Sequence, residues 1–110
     1  MPKKEKLFVY GTLKFSRFQK VAFGRSAKGR TALLENYIRS KADIHGGRYF
    51  VISARRGSIV KGLVLEVSKK ELISIDAHEG EGYVRKKVRL GDGTFAWTYV
   101  HAAVQKSRAR

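Results

Sequence analysis

The sequence predicts an α+β fold in which about six strands form a curled sheet or small barrel, with one or two helices packed against it. Strand-like segments outnumber helical ones, and several strands carry apolar residues on both faces. Turns that contain glycine separate these strands. Pro2 is the single proline, so the strands and helices that follow it are uninterrupted.

The first three elements are a buried strand, a short helix and a long strand. Lys6–Tyr10 is a short apolar run that ends at Gly11, which is typical of a buried strand. Leu13–Phe23 spaces its apolar residues closer to a period of about 3.6 than of about 2, which predicts a short helix that ends at Gly24. Thr31–Ile44 follows a polar loop and is interpreted as an extended or bulged strand.

Glycine turns divide the middle of the chain into two further strands. Gly46–Gly47 marks a turn, and Arg48–Ser53 follows it as a strand. Arg55–Gly57 predicts a second turn, after which Ile59–Val67 forms another strand. Gly62 lies inside that strand, where a glycine indicates a bulge or a tight barrel corner.

A capping box marks the start of the second helix. Ser68 can accept a hydrogen bond from the Glu71 N–H, while the Glu71 carboxylate accepts one from the Ser68 N–H. The helix is expected to bury Leu72, to run to about His78 and to stop at Gly80.

The last elements form a hairpin. Tyr83–Leu90 and Thr94–His101 alternate in the manner of strands, and Gly91–Gly93 is a hairpin loop signal between them. We expect residues 1–104 to form a single domain and residues 105–110 to form a short, frayed basic tail.

Composition excludes several classes of protein. The 110 residues contain no cysteine, which excludes thiolate zinc sites, disulfide frameworks and cysteine nucleophiles. The charged N-terminus leads directly into a strand, without the apolar run of a signal peptide. No apolar run approaches the roughly 20 residues that span a membrane. The sequence therefore predicts a soluble, cytoplasmic protein.

The net charge of +15 is large for a chain of this size. Such a charge attracts phosphates and other anionic surfaces. Arg85, Lys87 and Arg89 alternate on one strand face, as in an RNA-binding sheet, although RNA-recognition motifs are missing. A solvated basic face is the commoner explanation of such a pattern. A module that binds nucleic acid or another polyanion is the alternative function.

Three carboxylates and a histidine fall within six residues of a chain that has nine acidic residues in all. Glu79 continues the inward face of the second helix, seven residues after Leu72 and four after Ile75. Burial and the helix C-terminal end would both raise its pKa toward the range useful for proton transfer. An exposed glutamate paired with a basic residue is the equal alternative. Asp76 and Glu81 are further candidates, for which a surface salt bridge is the commoner explanation.

Metal and nucleotide chemistry receive no support. His45, His78 and His101 have no recognisable metal-ligand spacing. The chain contains no dinucleotide fingerprint, phosphate-binding loop or nucleophile elbow. We therefore expect no cofactor.

The turn after the first strand is a candidate anion site. Gly11 can adopt backbone angles closed to other residues, and the turn can present N–H groups to a carboxylate. Together with a carboxylate that moves protons, this turn suggests a small site for an amino-acid-like substrate.

Five segments in this order carry a family resemblance: Phe8–Leu13, Val60–Val67, Ile75–Gly80, Gly82–Arg85 and Gly91–Val100. With them the chain resembles the gamma-glutamylcyclotransferase-like superfamily, in particular the small single-domain branch of AIG2-like proteins and gamma-glutamylamine cyclotransferase. The resemblance covers nearly the whole chain. It implies a small mixed β-barrel with flanking helices.

The resemblance also implies an activity and a site. Glu79 matches the catalytic glutamate, which would act as general acid and base in the release of 5-oxoproline from a γ-glutamyl amine or amino acid, without metal or cofactor. The turn would hold the α-amino-acid end of the γ-glutamyl group, and the leaving amine is left open. The substrate-binding residues implied are Tyr10, Gly11, Thr12, Leu13 and Tyr83, with Arg85 a weaker candidate.

Overall fold

The computed structural model describes residues 4–44, 46–80 and 82–101. The strands are β1 (Lys4–Val9), β2 (Arg30–Ile44), β3 (Gly47–Ser68), β4 (Tyr83–Arg89) and β5 (Phe95–His101). The helices are a 3₁₀ turn (Thr12–Lys14), α1 (Ser16–Phe23) and α2 (Lys69–Glu79). The predicted α+β fold with two flanking helices is confirmed. The predicted basic tail, His45 and Glu81 lie outside the described residues.

The five strands form one mixed sheet in the order β2-β3-β1-β5-β4. The central strand β1 pairs antiparallel with β3 and parallel with β5, and the other pairs are antiparallel. The sheet curls into a half-barrel that brings its two edges together. The N–H of Gly91, just after β4, donates to the carbonyl of Leu33 on β2 over 2.8 Å.

The prediction of separate strands on either side of Arg55–Gly57 is wrong, which reduces the strand count from about six to five. β3 runs through this segment without a break. The register against β2 shifts between Glu35 and Tyr37. At that shift Asn36 has a φ of 66° and Gly57 a φ of 85°, and the Gly57 N–H donates to Asn36 Oδ1 over 3.0 Å. The glycine therefore serves a bulge between two long strands instead of a chain reversal.

Alternation along β1 creates two cores on opposite faces of the sheet. Leu7 and Val9 pack against helical residues that include Leu72 and Ile75, while Phe8 faces the inside of the half-barrel. All of these side chains are at most 3% exposed. Burial on this scale contributes about 1.5–3 kcal/mol per large side chain, so β1 anchors both halves of the molecule.

Helix α2 has the predicted capping box. Ser68 Oγ accepts from the Glu71 N–H over 3.1 Å, and Glu71 Oε1 accepts from the Ser68 N–H over 2.9 Å. Arg25 binds the same carboxylate, with Nε 2.6 Å from Oε2, and thereby holds the segment after α1 on α2. The helix ends at Gly80, whose φ of 81° favours glycine, so Glu79 is its last residue.

Gly62 is a point of close approach between backbones. It pairs in regular register with Ala32, which corrects the expectation of a bulge. A Cβ at this position would lie 2.4 Å from the carbonyl oxygen of Val9 and 2.7 Å from the ring of Phe8. A side chain here would therefore push the end of β1 away from β3.

Within the described ranges, no helix is long and apolar enough to cross a bilayer.

We expect Gly62→Ala to destabilise the protein by about 1–3 kcal/mol, because the added methyl group has no space beside the Val9 carbonyl. Urea unfolding measures the change. Gly91→Ala is the matched control, since a Cβ there meets its nearest atom at 3.5 Å, an ordinary contact distance. Equal unfolding midpoints for the two variants would contradict the close-approach argument.

Candidate active site

A cavity of about 810 Å³ opens where β1, α2 and β4 end or begin. The turn after β1 contributes Tyr10 to Leu13, the end of α2 contributes Glu79, and the start of β4 contributes Tyr83. The paired ends of β2 and β3 form a further wall. This volume fits a small-molecule ligand. The structure therefore brings together the predicted site residues of three separate segments.

Glu79 is the carboxylate that lines this cavity. Its side chain is half-buried at the last position of α2, and this burial raises its pKa to about 7. Among the described residues, none forms an ion pair or hydrogen bond with the Glu79 side chain. Its environment is thus that of a half-buried, unpaired carboxylate and not that of a surface salt bridge. A carboxyl group with such a pKa can both accept and donate a proton near neutral pH.

Three tyrosines surround this carboxylate. Burial, the largest cause, raises the pKa of the Tyr10, Tyr83 and Tyr99 phenols, and the charge of Glu79 raises each further. The Tyr10 hydroxyl donates to the Tyr99 carbonyl over 2.5 Å, and the Tyr83 hydroxyl donates to the Phe50 carbonyl over 3.3 Å. The phenols therefore stay neutral and fix the cavity walls.

Asp76 lies three residues before Glu79 and is engaged in a network of its own. Its Oδ1 accepts from the Tyr99 hydroxyl over 2.5 Å and from Arg85 Nε over 3.2 Å. These contacts tie the end of α2 to β5 and β4. Asp76 thus holds the helix end that carries Glu79, and its oxygen is already occupied by two donors. Glu81, the other carboxylate considered, lies outside the described residues.

Arg85 is turned toward this network. Its guanidinium pairs with Asp76 and lies 4.6 Å from the ring centre of Trp97. Arg85 is not one of the described residues that line the cavity. Arg85 therefore supports the end of α2 through Asp76, and it is not included among the proposed substrate-binding residues.

The turn after β1 presents unpaired backbone donors. Its carbonyls are used, since Gly11 accepts from the Lys14 N–H over 3.1 Å and Thr12 accepts from the Phe15 N–H over 3.0 Å. In the part of the chain that the structure describes, no acceptor takes the N–H of Gly11, Thr12 or Leu13. Free N–H groups are expected in the first turn of a helix, and they attract anions.

The backbone of Gly11 departs from expectation. Its φ of −131° lies outside the left-handed region in which glycine is favoured. A Cβ would lie 3.6 Å from the Phe50 ring carbon Cδ2, an ordinary contact. The absence of a side chain at Gly11 therefore leaves the space beside the Phe50 ring open to the cavity.

Two residues that sequence reasoning missed hold this turn in place. The buried Gln19, 2% exposed, donates from Nε2 to the Leu13 carbonyl over 2.9 Å and accepts from the Ala27 N–H over 2.7 Å. Arg39 donates from Nη1 to the Tyr10 carbonyl over 2.8 Å. The spacing of Gln19 from the apolar Ala22 could have revealed its buried position, whereas no local signal marks Arg39.

The paired ends of β2 and β3 were also missed as part of the site. Lys41, Arg48, Tyr49 and Phe50 line the cavity from these strands. They reach it because β3 is one continuous strand on both sides of the bulge, whereas the sequence predicts two separate strands there. No group of three potential metal ligands exists among the described residues.

Comparisons with known proteins identify the family of the chain. The model of the family "Gamma-glutamyl cyclotransferase, AIG2-like" matches residues 7–110, and the chain belongs to this family. A search of curated proteins gives no significant match.

Solved structures share the fold. A protein from Arabidopsis thaliana is 28% identical, with a TM-score of 0.81 over 98% of this chain and 68% of its own. An uncharacterised protein from Homo sapiens is 23% identical, with a TM-score of 0.78 over 90% and 67%. A structure named gamma-glutamyl cyclotransferase is 21% identical, with a TM-score of 0.73 over 91% and 68%.

The buried state of Glu79 predicts a pH-dependent stability. Its folded pKa of about 7 exceeds the ordinary value of 4.5, so the folded protein binds this proton more tightly than the unfolded chain does. Between about pH 4.5 and about pH 7 this group therefore destabilises the fold increasingly as the pH rises. Glu79→Gln should be more stable than the unmodified protein by about 1–3 kcal/mol at pH 8, and the difference should vanish below about pH 4.

Urea unfolding across this pH range tests the expectation. Glu66→Gln, which removes an exposed carboxylate from β3, controls for the loss of one negative charge. A stability gain in Glu79→Gln that is the same at pH 4 and pH 8 would show that burial of the charge is not its cause.

Proposed function

We propose that the protein is a γ-glutamyl cyclotransferase that releases 5-oxoproline from a γ-glutamyl amine or amino acid. The observation that carries the proposal is a half-buried, unpaired carboxylate, Glu79, in one cavity with the unpaired N–H groups of Gly11, Thr12 and Leu13. Membership of the family supports it.

The turn binds the amino-acid end of the substrate. The N–H groups of Gly11, Thr12 and Leu13 donate to the substrate α-carboxylate, which needs several donors in a partly dry site. Tyr10 and Tyr83 confine the γ-glutamyl chain from either side of Glu79. In this binding mode the α-amino group would lie beside the Glu79 carboxylate.

Glu79 then moves the protons of the reaction. Its ionised carboxylate takes a proton from the substrate α-ammonium group, which frees the nitrogen lone pair to attack the γ-carbonyl carbon. A new C–N bond closes the five-membered ring, and the bond to the leaving amine breaks as Glu79 returns the proton to that nitrogen. The ring nitrogen gives up its second proton, so the products are 5-oxoproline and the protonated amine. Both reacting groups belong to one molecule, so confinement supplies much of the acceleration without a cofactor.

The basic surface supports a second, weaker property. Lys87 and Arg89 are exposed on β4, and the chain carries a net charge of +15. Arg85 contributes less to this surface than its sequence position indicates, because Asp76 holds its guanidinium. These charges favour loose association with polyanions and offer no base-reading geometry.

Glu79→Gln should lower kcat by a factor on the order of 10²–10⁴, because the amide keeps the shape of the side chain and cannot accept the proton. Release of 5-oxoproline from a panel of γ-glutamyl compounds measures the change. In the unmodified enzyme, kcat/KM should rise with pH and level off above about 7, where Glu79 is ionised.

Asp76→Asn and Glu81→Gln are the comparison variants. Asp76→Asn should reduce turnover less than Glu79→Gln, because it loosens the helix end without removing the base. Normal turnover by Glu79→Gln, together with its loss in either comparison variant, would assign the chemistry to a different carboxylate.

Polyanion binding should be weak and independent of sequence. Affinities for single-stranded RNA, duplex DNA and heparin are expected to be similar and to fall steeply between low and physiological salt, because counterion release drives such binding. Fluorescence anisotropy at several salt concentrations measures this dependence. A sequence-selective complex that persists at physiological salt would favour a nucleic-acid-binding function instead.

A further inference from the structure

One wall of the cavity is cationic. This wall, the β2–β3 ribbon, is the antiparallel pair in which residues 37–44 face residues 47–54. Lys41 and Arg48 line the cavity from its two strands. Across the described part of the lining, the one carboxylate is Glu79. The ribbon end of the cavity therefore carries two positive charges without a local counter-charge in the lining.

Phe50 lies beside these cations and also borders the turn after β1. It borders the turn, because a Cβ on Gly11 would lie 3.6 Å from its ring carbon Cδ2. Lys41 is the cross-strand partner of Phe50, with Nζ 5.3 Å from the ring centre. Arg48 precedes Phe50 by two residues on the same strand face, roughly 7 Å farther along β3. A substrate whose glutamyl group occupies the turn would extend past Phe50 toward both cations.

Both cations are available to a ligand. Lys41 is exposed and forms no ion pair with the described residues. Arg48 pairs with Asp43 through Nε over 3.4 Å, but the two side chains are 70% and 83% exposed, and such pairs are weak. Arg39, by contrast, is committed to the Tyr10 carbonyl and to the face of Phe50.

We infer that Lys41 and Arg48 form an anion subsite at the ribbon end of the cavity, which selects γ-glutamyl substrates whose departing amine carries a carboxylate. This assignment rests on the proposed function for the orientation of the substrate. It names the leaving group by its charge: an amino acid or peptide with a free carboxylate is preferred to a neutral or cationic amine.

Paired ligands test the subsite by binding. γ-Glutamyl-alanine and γ-glutamyl-alaninamide differ in one negative charge on the departing group. Each is titrated into Glu79→Gln, in which turnover cannot consume it, and affinity is measured by NMR. We expect the carboxylate ligand to bind on the order of tenfold more tightly. Adding Lys41→Gln and Arg48→Gln together should reduce the preference to within about twofold.

Arg56→Gln with Lys61→Gln is the matched control. Both residues are exposed on β3, neither lines the cavity, and the pair removes the same two charges. This control should keep the preference, which separates a local subsite from long-range attraction by the net charge.

Equal affinities for the two ligands, no binding of either, or a preference that survives loss of Lys41 and Arg48 would overturn the subsite. The proposed function fails separately. If the unmodified protein releases no 5-oxoproline from either ligand while the binding preference depends on Lys41 and Arg48, the cyclotransferase activity is wrong and the subsite stands.

Discussion

Burial of β1 on both faces is the constraint on which the rest of the structure depends. Leu7 and Val9 close the core beneath the helices, and Phe8 closes the core inside the half-barrel, so neither core forms without this strand. Close contact with β3 requires the absence of a side chain at Gly62. Pairing with β3 ends at Val9, and the chain turns there. The backbone donors of the cavity are unpaired because the central strand stops where the sheet still continues on either side.

The second requirement of the site is a helix end that carries a carboxylate, although negative charge is unfavourable at this position. A half-buried carboxylate at the C-terminal end of α2, without an ion-pair partner among the described residues, raises the free energy of the folded state. Asp76 offsets this cost, because its contacts with Tyr99 and Arg85 fasten the last turn of the helix to β5 and β4. Asp76 and Glu79 thus lie one helical turn apart, the first paired with Tyr99 and Arg85 and the second without a partner among the described residues. Such conflict between stability and a reactive group is expected at functional sites.

Local signals in the sequence predicted the two α-helices and the glycines at which they end. The features that the sequence could not show depend on contacts between segments that are far apart in the chain. The capping box at Ser68 and the glycines that end both α-helices are local motifs, and the structure has them where they were predicted. The local sequence at Gly57 fits a turn and a bulge equally well. The hydrogen bond from the Gly57 N–H to Asn36, 21 residues away, belongs to the bulge. Arg85 looked free in the sequence because its partner Asp76 lies on another element. Lys41 and Phe50 reach the cavity only through the pairing of β2 with β3.

The cavity combines two kinds of recognition that respond differently to a change of sequence. Under the proposed function its turn end binds through backbone N–H groups, which persist whatever side chains Thr12 or Leu13 carry, so recognition of the amino-acid end would be a property of the fold. Its ribbon end consists of side chains on paired strands, and a substitution at Lys41 or Arg48 changes its charge without moving β1 or α2. A fold divided in this way can keep one reaction while the leaving group varies. Under the proposed function, the chemistry at Glu79 depends on the turn and on the end of α2, whereas the choice of leaving group depends on the charge of the β2–β3 ribbon.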